Sequence, residues 1–541
     1  MRAGRARRWS RVVAVGSAAA LAASVTGGVA GAAGASQGSG GGRSAQLQRA
    51  VDVDAILRNL AQFESIADQS GGTRASGTRG YDRSARYVAQ RLRQAGYRVT
   101  TQEFDFDLFT VNAPTEFEQL APTARTFEEG TDYFTASYTG NGEGEGVVTE
   151  VDVTEPPGPA PSSNDSGCEP EDFEGFPEGA VALLQRGTCD FGLKAQNASE
   201  AGASAAIIYN EGTPGVDDRN DTLNPTLAGY TVTIPTVGVS YALGRELVGT
   251  TVRIAADTTV TPSTTRNVIA ETRGGRADEV VMLGGHLDSV PEGPGINDNG
   301  SGTAALLEVA EELAKRGDGP RNKVRFAFWG AEEAGLLGSN EYVASLTEEQ
   351  AAAIRLYLNF DMVGSPNYFR GVYDGDASLP DSVQGPEGSA QIERLFNRYF
   401  TGRGLPYEDT EFSGRSDYQA FILAGIPSGG LFTGAEGDKT EEQVERYGGI
   451  VADYDPCYHA RCDSLSPVTD GADRATYRQL RRAYGNELVG NVNVHALDTS
   501  ADAIAHAVAT YGWSTASLPD RAPAMAATAA AAGGGGAAPR S

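Results

Sequence analysis

Histidine is scarce in this chain, four residues in 541, and two of the four stand among carboxylates. His286 lies in the glycine-rich stretch GGHLDSVPEGPGINDNGSG (284–302), with Asp288 two positions on and Asp298 in an Asn-Asp-Asn turn. His459 lies in PCYHARCD (456–463). Between them, Glu332 and Glu333 follow the apolar run VRFAFWG (324–330), and Asp361 follows LYLNF (356–360). Amide hydrolysis at neutral pH needs an activated water and a charge stabiliser, and two zinc ions about 3.5–4 Å apart supply both. Such a pair takes about five ligands, imidazole and carboxylate mixed, with one carboxylate shared. His286, Asp298, Glu333, Asp361 and His459 provide two histidines and three carboxylates, with no thiolate. A carboxylate outside the ligand set must then move the proton. Adjacent loop side chains can point different ways, so Glu332 suits the base and Glu333 the ligand. Asp288 suits an orienting partner for the His286 ring.

Each residue also has an ordinary reading. Histidine two positions before aspartate is a common surface pair. Paired glutamates usually mark a solvated helix face, as Glu311-Glu312 and Glu348-Glu349 do here. Asp361 could merely end a strand. His459, between Cys457 and Cys462, could sit in a structural zinc site or a small disulfide loop. His495 and His506 fall in a helical stretch and read as packing or surface residues. The weight comes from five ligand-type residues in one framework.

That framework is a series of near-continuous apolar runs alternating with helical patterns. Strands are expected at Asn267 to Thr272, Glu279 to Leu283, Lys323 to Trp329 and Leu356 to Phe360, with helices at 303–316, 334–345 and 347–353 between them. The pattern predicts an α/β fold: a mostly parallel, mixed central sheet covered by helices on both faces. The candidate residues then fall at the carboxyl ends of strands, where open α/β sheets place their ligands. Upstream, helices are expected from Val51 and ending at Gly96, and a strand from Tyr97 to Phe109. Between about 131 and 262 the chain turns rich in Gly, Pro, Thr and Val, with short strand-like runs and one helix, Leu193 to Ala201. It holds no histidine. Downstream, helices are expected around 388–401 and 472–511.

A net charge of -27 argues against nucleic acid or an anionic membrane as partner. A basic start, Arg2 to Arg11, precedes an apolar run from Val12 to Val25 and small residues offering Ala-x-Ala sites. Residues 1–35 therefore read as a secretory signal peptide, and the mature chain as secreted, extracellular and free of the membrane. Residues 36–50 read as a flexible linker, and 514–541 as a low-complexity tail. Four cysteines in an exported chain should pair, and the sequence-local pairing of the three possible is Cys168–Cys189 with Cys457–Cys462. A monomer is expected. The aspartates near the C-terminal region permit calcium without marking a site.

Two resemblances add to this reading. VALLQRGTCDFGLKAQNASEAGASAAIIYN (181–210) resembles the protease-associated domain, a small β-rich insert of secreted peptidases, here over 131–262. GGHLDSV, GINDNGSGTAALLE, FAFWGAEEAGLLGS, LNFDMVGS, GRSDYQAFILAGIPSGGLFTGAE and CYHARCDSL, with RASGTRGYDRSARYVAQRLRQAGYRV (74–99) upstream, resemble the secreted bacterial di-zinc aminopeptidases. On this resemblance 51–130 and 263–513 form the catalytic α/β domain. It implies that Asp298 bridges two Zn2+, that His286 and Asp361 complete one site, and that Glu333 and His459 complete the other. Glu332 is then the general base and Tyr458 the oxyanion stabiliser, while Arg415 and Phe432 line the site for the substrate's N-terminal end. It further implies a cis peptide between Asp298 and Asn299. The implied activity is removal of an N-terminal, leucine-like residue from peptides by a two-metal hydroxide mechanism. A carboxypeptidase or dipeptidase on the same fold is the alternative, and a non-catalytic relative would have lost ligands that are all present here.

Overall fold

The computed structural model describes residues 37–158, 163–214, 219–379, 382–469 and 474–519. The expected leader (1–35) and most of the expected tail (514–541) lie outside the described residues. The chain opens with helices α1 (Gln37–Gln48), α2 (Val53–Asp68) and α3 (Arg79–Ala95). Asp52 and Thr78 cap α2 and α3 by accepting the N–H groups of Asp54 and Tyr81. Next come β1 (Arg98–Ala121), β2 (Arg125–Thr126), β3 (Tyr133–Thr135), β4 (Gly142–Glu150), β5 (Val181–Gln185), α4 (Phe191–Glu200), β6 (Ala205–Tyr209), β7 (Thr236–Val239), α5 (Tyr241–Leu247) and β8 (Thr251–Glu271). The α/β alternation follows: β9 (Arg276–His286), α6 (Gly302–Ala314), β10 (Asn322–Trp329), α7 (Leu337–Ala344), α8 (Glu348–Ala353), β11 (Ile354–Phe360), β12 (Gly371–Tyr373), α9 (Ser389–Arg403), β13 (Glu408–Thr410), α10 (Tyr418–Leu423), β14 (Ser428–Phe432) and α11 (Glu441–Tyr447). The chain closes with α12 (Arg474–Tyr484), β15 (Leu488–Val489), β16 (Val492–Asn493) and α13 (Val494–Tyr511).

In the main sheet β9, β10, β11 and β14 run parallel, while β12 and β8 join antiparallel to their neighbours β14 and β10. Both faces are buried, as the unbroken apolar strands require. In β9, Val281 and Leu283 pack with residues of α2, α3, α6 and α13, while Val280 and Met282 pack with Trp329, Tyr342 and Phe421 on the opposite face. Each such side chain contributes about 1.5–3 kcal/mol relative to exposure. The parallel strands end together at His286, Trp329, Phe360 and Phe432, so the loops after them share one edge of the sheet.

The inserted unit has its own parallel strands β4, β5, β6 and β7, a separate apolar core, and the Cys168–Cys189 disulfide. It is joined to the main sheet by one ribbon. β8 pairs with β1 from Thr251 to Glu271, and also with β4 near one end and β10 near the other. The strand expected to end at Phe109 continues to Ala121, and the strand expected to begin at Asn267 begins at Thr251. Residues 110–116 are exposed in β1 except Thr115, so no alternation marks them as strand.

Two further expectations change. Residues 37–48 are helical, not a flexible linker: Leu47 enters the main core and Ser44 Oγ lies 2.7 Å from His506 Nδ1, so packing against α13 overrides a glycine-rich sequence. The helix expected over 472–511 is interrupted by the β15–β16 hairpin. Its Gly490 has φ +58, and a Cβ there would lie 2.2 Å from the Ser464 carbonyl, so no other residue fits this turn. Among the described residues no helix is long and apolar enough to cross a membrane.

Candidate metal centre

The edge where the parallel strands end gathers all five expected ligands. His286, the last residue of β9, points Nε2 at Asp298 Oδ1 (3.1 Å) and Asp361 Oδ1 (3.2 Å). His459 points Nε2 at Asp298 Oδ2 (3.3 Å) and Glu333 Oε2 (3.1 Å). Asp298 thus offers one oxygen to each imidazole. The trios His286–Asp298–Asp361 and Asp298–Glu333–His459 each bring ligand atoms within 4.8 Å of one another. Glu332 Oε2 lies 3.9 Å from His286 Nε2, and His286, Glu332 and Glu333 form a third group of ligand atoms within 4.8 Å of one another.

The local backbone explains why these residues converge. Asp298 sits in a turn over Ile296–Ser301 that departs from helical geometry before α6 begins, and its bond to Asn299 is cis. Asp463 holds that turn: its carboxylate accepts the N–H of Asn297 (2.7 Å) and of Asp298 (2.9 Å). Asn491 Nδ2 in turn donates to Asp463 and to Asp455, and Asn297 Nδ2 donates to Asp455. Glu332 and Glu333 follow Ala331, whose φ is +55, and His459 has φ +54, two non-glycine residues in left-handed backbone beside reactive side chains. The Cys457–Cys462 disulfide closes the loop around His459.

The His286 ring is oriented from behind. Its Nδ1 lies 3.2 Å from the Asp288 carbonyl oxygen, which accepts only if Nδ1 carries the proton, leaving the Nε2 lone pair toward Asp298 and Asp361. The Asp288 carboxylate is farther away, 3.7 Å from Nδ1, and accepts the Glu332 N–H at 3.3 Å. Asp288 therefore faces the ring nitrogen with both its carbonyl and its carboxylate, and the carboxylate also reaches the adjacent loop. Asp361 is fixed by a chain of buried donors: Trp329 Nε1 to Tyr357 Oη, Tyr357 to Asn359, Asn359 to Ser416, and Ser416 Oγ to Asp361 Oδ2 at 2.6 Å.

The electrostatics are those of a cation site. Burial pushes the His286 pKa down, but Asp361 and Glu332 outweigh it and hold it well above its ordinary value. The same contest, won by Glu333 and Asp298, raises His459. Burial would raise Asp298, but the bonds from both histidines hold it below the usual carboxylate range. Glu332 is pushed well up by burial and by Glu333, and Glu333 rises to about 7 through burial and Asp298. Positive charge between these groups is what the cluster demands, and a divalent cation answers it as a proton would. The donor set, the sharing of Asp298 and the buried, unpartnered Oε1 of Glu333 all fit zinc.

The remaining expected residues surround this cluster. Tyr458 stacks on the His459 ring at 3.8 Å, and burial with nearby Glu436 raises its pKa well above 10.0. Arg415 is exposed and forms an ion pair with Glu436, which the sequence reading did not single out. Phe432 ends β14, half-buried against Phe369. Asp463, Asn491, Asp455, Ser416 and Glu436 are functional-site residues that the sequence did not announce. Asp463, Ser416 and Glu436 lie inside the stretches CYHARCDSL and GRSDYQAFILAGIPSGGLFTGAE, whereas nothing in the sequence points to Asn491 or Asp455. A second acidic group, Asp374, Asp376 and Glu393, lies apart. There Asp374 accepts the N–H groups of Ser378 and Leu379, and Glu393 accepts that of Gly375.

Residues 267–483 match the family model for peptidase family M28, and residues 150–247 that for the PA domain. The chain is 46% identical over 431 residues to an aminopeptidase of Pseudomonas aeruginosa, covering 79% of each chain. It is 39% identical over 478 residues to a probable leucine aminopeptidase 2 of Aspergillus fumigatus, covering 86% of this chain and 85% of the relative. Its fold is similar to the aminopeptidase from Aneurinibacillus sp. strain AM-1, with a TM-score of 0.62 at 24% identity over 86% of this chain and 95% of that one. The ligand-bearing strand edge, the match over 267–483 and the extent of identity to these relatives together place the chain in peptidase family M28, with a PA domain inserted in the peptidase fold.

Proposed function

We propose that this chain is an exported zinc aminopeptidase that removes an apolar, leucine-like residue from the N-terminus of peptides. The observation that carries the reading is the division of Asp298 between His286 and His459, with Glu332 close beside His286. His286, Asp298 and Asp361 would hold one zinc, and Asp298, Glu333 and His459 the other. When bound, the pair lowers the pKa of water and polarises the scissile carbonyl.

The chain's own groups do the rest. Glu332, whose pKa burial raises, takes a proton from water and delivers it to the leaving amine. The Tyr458 hydroxyl, held neutral by its raised pKa, donates to the carbonyl oxygen as negative charge grows there. The surrounding carboxylates favour a substrate with a free α-ammonium group, which supports exopeptidase action. Phe432 and the exposed Arg415–Glu436 pair line the approach for the N-terminal residue. Export rests on the leader-like residues 1–35 and on the two disulfides. The leucine preference rests on the name of the Aspergillus relative.

The test is a panel of aminoacyl-anilides and N-blocked peptides, assayed with and without chelator, beside a metal count. Cleavage of leucyl-anilide that chelation abolishes, with about two zinc ions per chain, is expected. Cleavage of N-blocked peptides would instead identify a carboxypeptidase, and cleavage of dipeptides alone a dipeptidase.

A further inference from the structure

Arg74 is the largest charged side chain buried without exposure in this protein's described residues, and it lies outside every role assigned above. It sits in the loop between α2 and α3, more than two hundred residues from the segment it grips. Its guanidinium donates along three directions to three carbonyls: Nη1 to Leu287, Nε to Pro294 at 2.7 Å and Nη2 to Gly295 at 2.5 Å. Leu287 immediately follows His286, and Pro294 and Gly295 stand just before the turn that carries Asp298. One planar group therefore ties together the two ends of the loop whose termini bear the histidine of one trio and the shared aspartate.

The grip is reinforced on both sides. The Arg74 N–H donates to Ser289 Oγ at 3.0 Å, and Ser289 Oγ donates to the Gly293 carbonyl at 2.9 Å. Thr73 Oγ1 donates to the Val290 carbonyl at 2.8 Å. Phe63 of α2 covers the guanidinium, with its ring centroid 5.1 Å away. Gly295 has φ +60, and a Cβ there would fall 2.2 Å from the Asp298 carbonyl oxygen and 3.2 Å from Arg74 Nη2. The loop is thus built to let the guanidinium approach. A segment that supplies carbonyls inward, with few internal hydrogen bonds of its own, needs a buried donor with fixed divergent geometry, which arginine has and lysine lacks. Burial lowers the Arg74 pKa to about 10, and Asp288, Asp463, Asp298 and Glu333 counter that, so the group remains cationic at neutral pH.

We infer that Arg74 is a positioning residue for metal binding: by clamping Leu287 to Pro294 and Gly295, it fixes the separation of His286 from Asp298 before a cation arrives. The inference rests on the zinc reading of the site. It concerns geometry more than charge, so charge-conserving and charge-removing variants should behave alike.

The experiment measures zinc affinity by competition with a chromophoric chelator for the full-length wild type, Arg74→Lys and Arg74→Met, beside thermal unfolding of the metal-free proteins. Both variants should bind zinc about 10–100-fold more weakly. At limiting zinc their kcat should fall while KM for leucyl-anilide changes little, and excess zinc should restore much of kcat. Ser289→Ala, which removes one supporting contact and leaves the guanidinium in place, should shift affinity in the same direction by a smaller factor, and it serves if the Arg74 variants do not fold. Wild-type zinc affinity in both Arg74 variants, or in Ser289→Ala where these do not fold, overturns the inference. So does a full recovery by Arg74→Lys, which would make charge the operative property. A wild type that binds no zinc overturns the reading of the site itself, and the two failures are separate observations.

Discussion

The carboxylate of Asp463 accepts the backbone N–H of Asp298 at 2.9 Å, one aspartate supporting another. The support acts through the peptide group, so it fixes where Asp298 stands without occupying either of its side-chain oxygens. Asp463 also takes the Asn297 N–H and a donor of Asn491, and all three residues are buried. Asp463→Asn would turn an amide NH2 toward one of these N–H donors and leave it unsatisfied. A loss of about 1–3 kcal/mol is expected. Thermal unfolding measures it, and metal content after dialysis should fall with it.

Glu332→Gln keeps the shape of the side chain and removes its ability to take a proton. Turnover of leucyl-anilide should drop by about 10²–10⁴-fold, with zinc content and KM near those of the wild type. Near-normal turnover with zinc retained would remove Glu332 from the proton-transfer role.

Tyr458→Phe deletes one donor near the developing oxyanion and leaves the ring stacked on His459. A fall of about 10²–10³-fold in kcat is the upper range for such a loss. Steady-state kinetics should place the effect on kcat and leave the zinc count unchanged.

The loop carrying His459 is closed by Cys457–Cys462, five positions apart. A loop this short constrains the unfolded chain weakly, so the Cys457→Ser/Cys462→Ser double variant should lose about 2 kcal/mol at most. Its larger effect should be local. Zinc affinity should decline more than the unfolding midpoint does, and chelator competition beside calorimetry separates the two.

His506 supplies a pH signature remote from the metal centre. Burial, with nearby Arg403, lowers its pKa from 6.5 to about 4. Between those values the unfolded chain binds a proton that the folded one refuses, so folding stability falls as pH drops from 6.5 towards 4. His506→Gln should flatten the acid arm of the stability profile over that window. Urea unfolding at pH 7 and pH 5 compares the two proteins, and equal slopes would show that this histidine titrates alike in both states.

Three of the five ligands were legible in the sequence because they end or closely follow an apolar run that must be a buried strand, while Asp298 and His459 stand in a glycine-rich turn and a disulfide loop. His286 ends β9, Glu332 and Glu333 follow β10, and Asp361 follows β11. What was not legible is the support behind them. Asp463, Asn491 and Arg74 are polar residues of loops, and only the tertiary fold shows that they are buried and what they hold. Spacing places Asp288 behind the His286 ring, and the fold adds what spacing does not show: its backbone carbonyl also meets the ring, and its carboxylate also accepts the Glu332 N–H. The long ribbon was missed for a similar reason. Its exposed middle lacks the alternation that burial on one face imposes, and hydrogen bonds to β8 alone make it a strand.

That ribbon also shows where the inserted unit leaves the peptidase sheet. From Arg98 to Val111, β1 pairs with β8 in unbroken register with Glu271 to Thr258, and the register first shifts between Val111 and Ala113. Up to that point the two strands are an ordinary antiparallel hairpin of the peptidase sheet, and everything between them hangs from its tip. A hairpin tip is a place where chain can be added or removed while the host's ladder stays whole. A tight turn in place of residues 112–257 would close the same two strands and leave the ladder from Arg98 to Val111 and Thr258 to Glu271 whole.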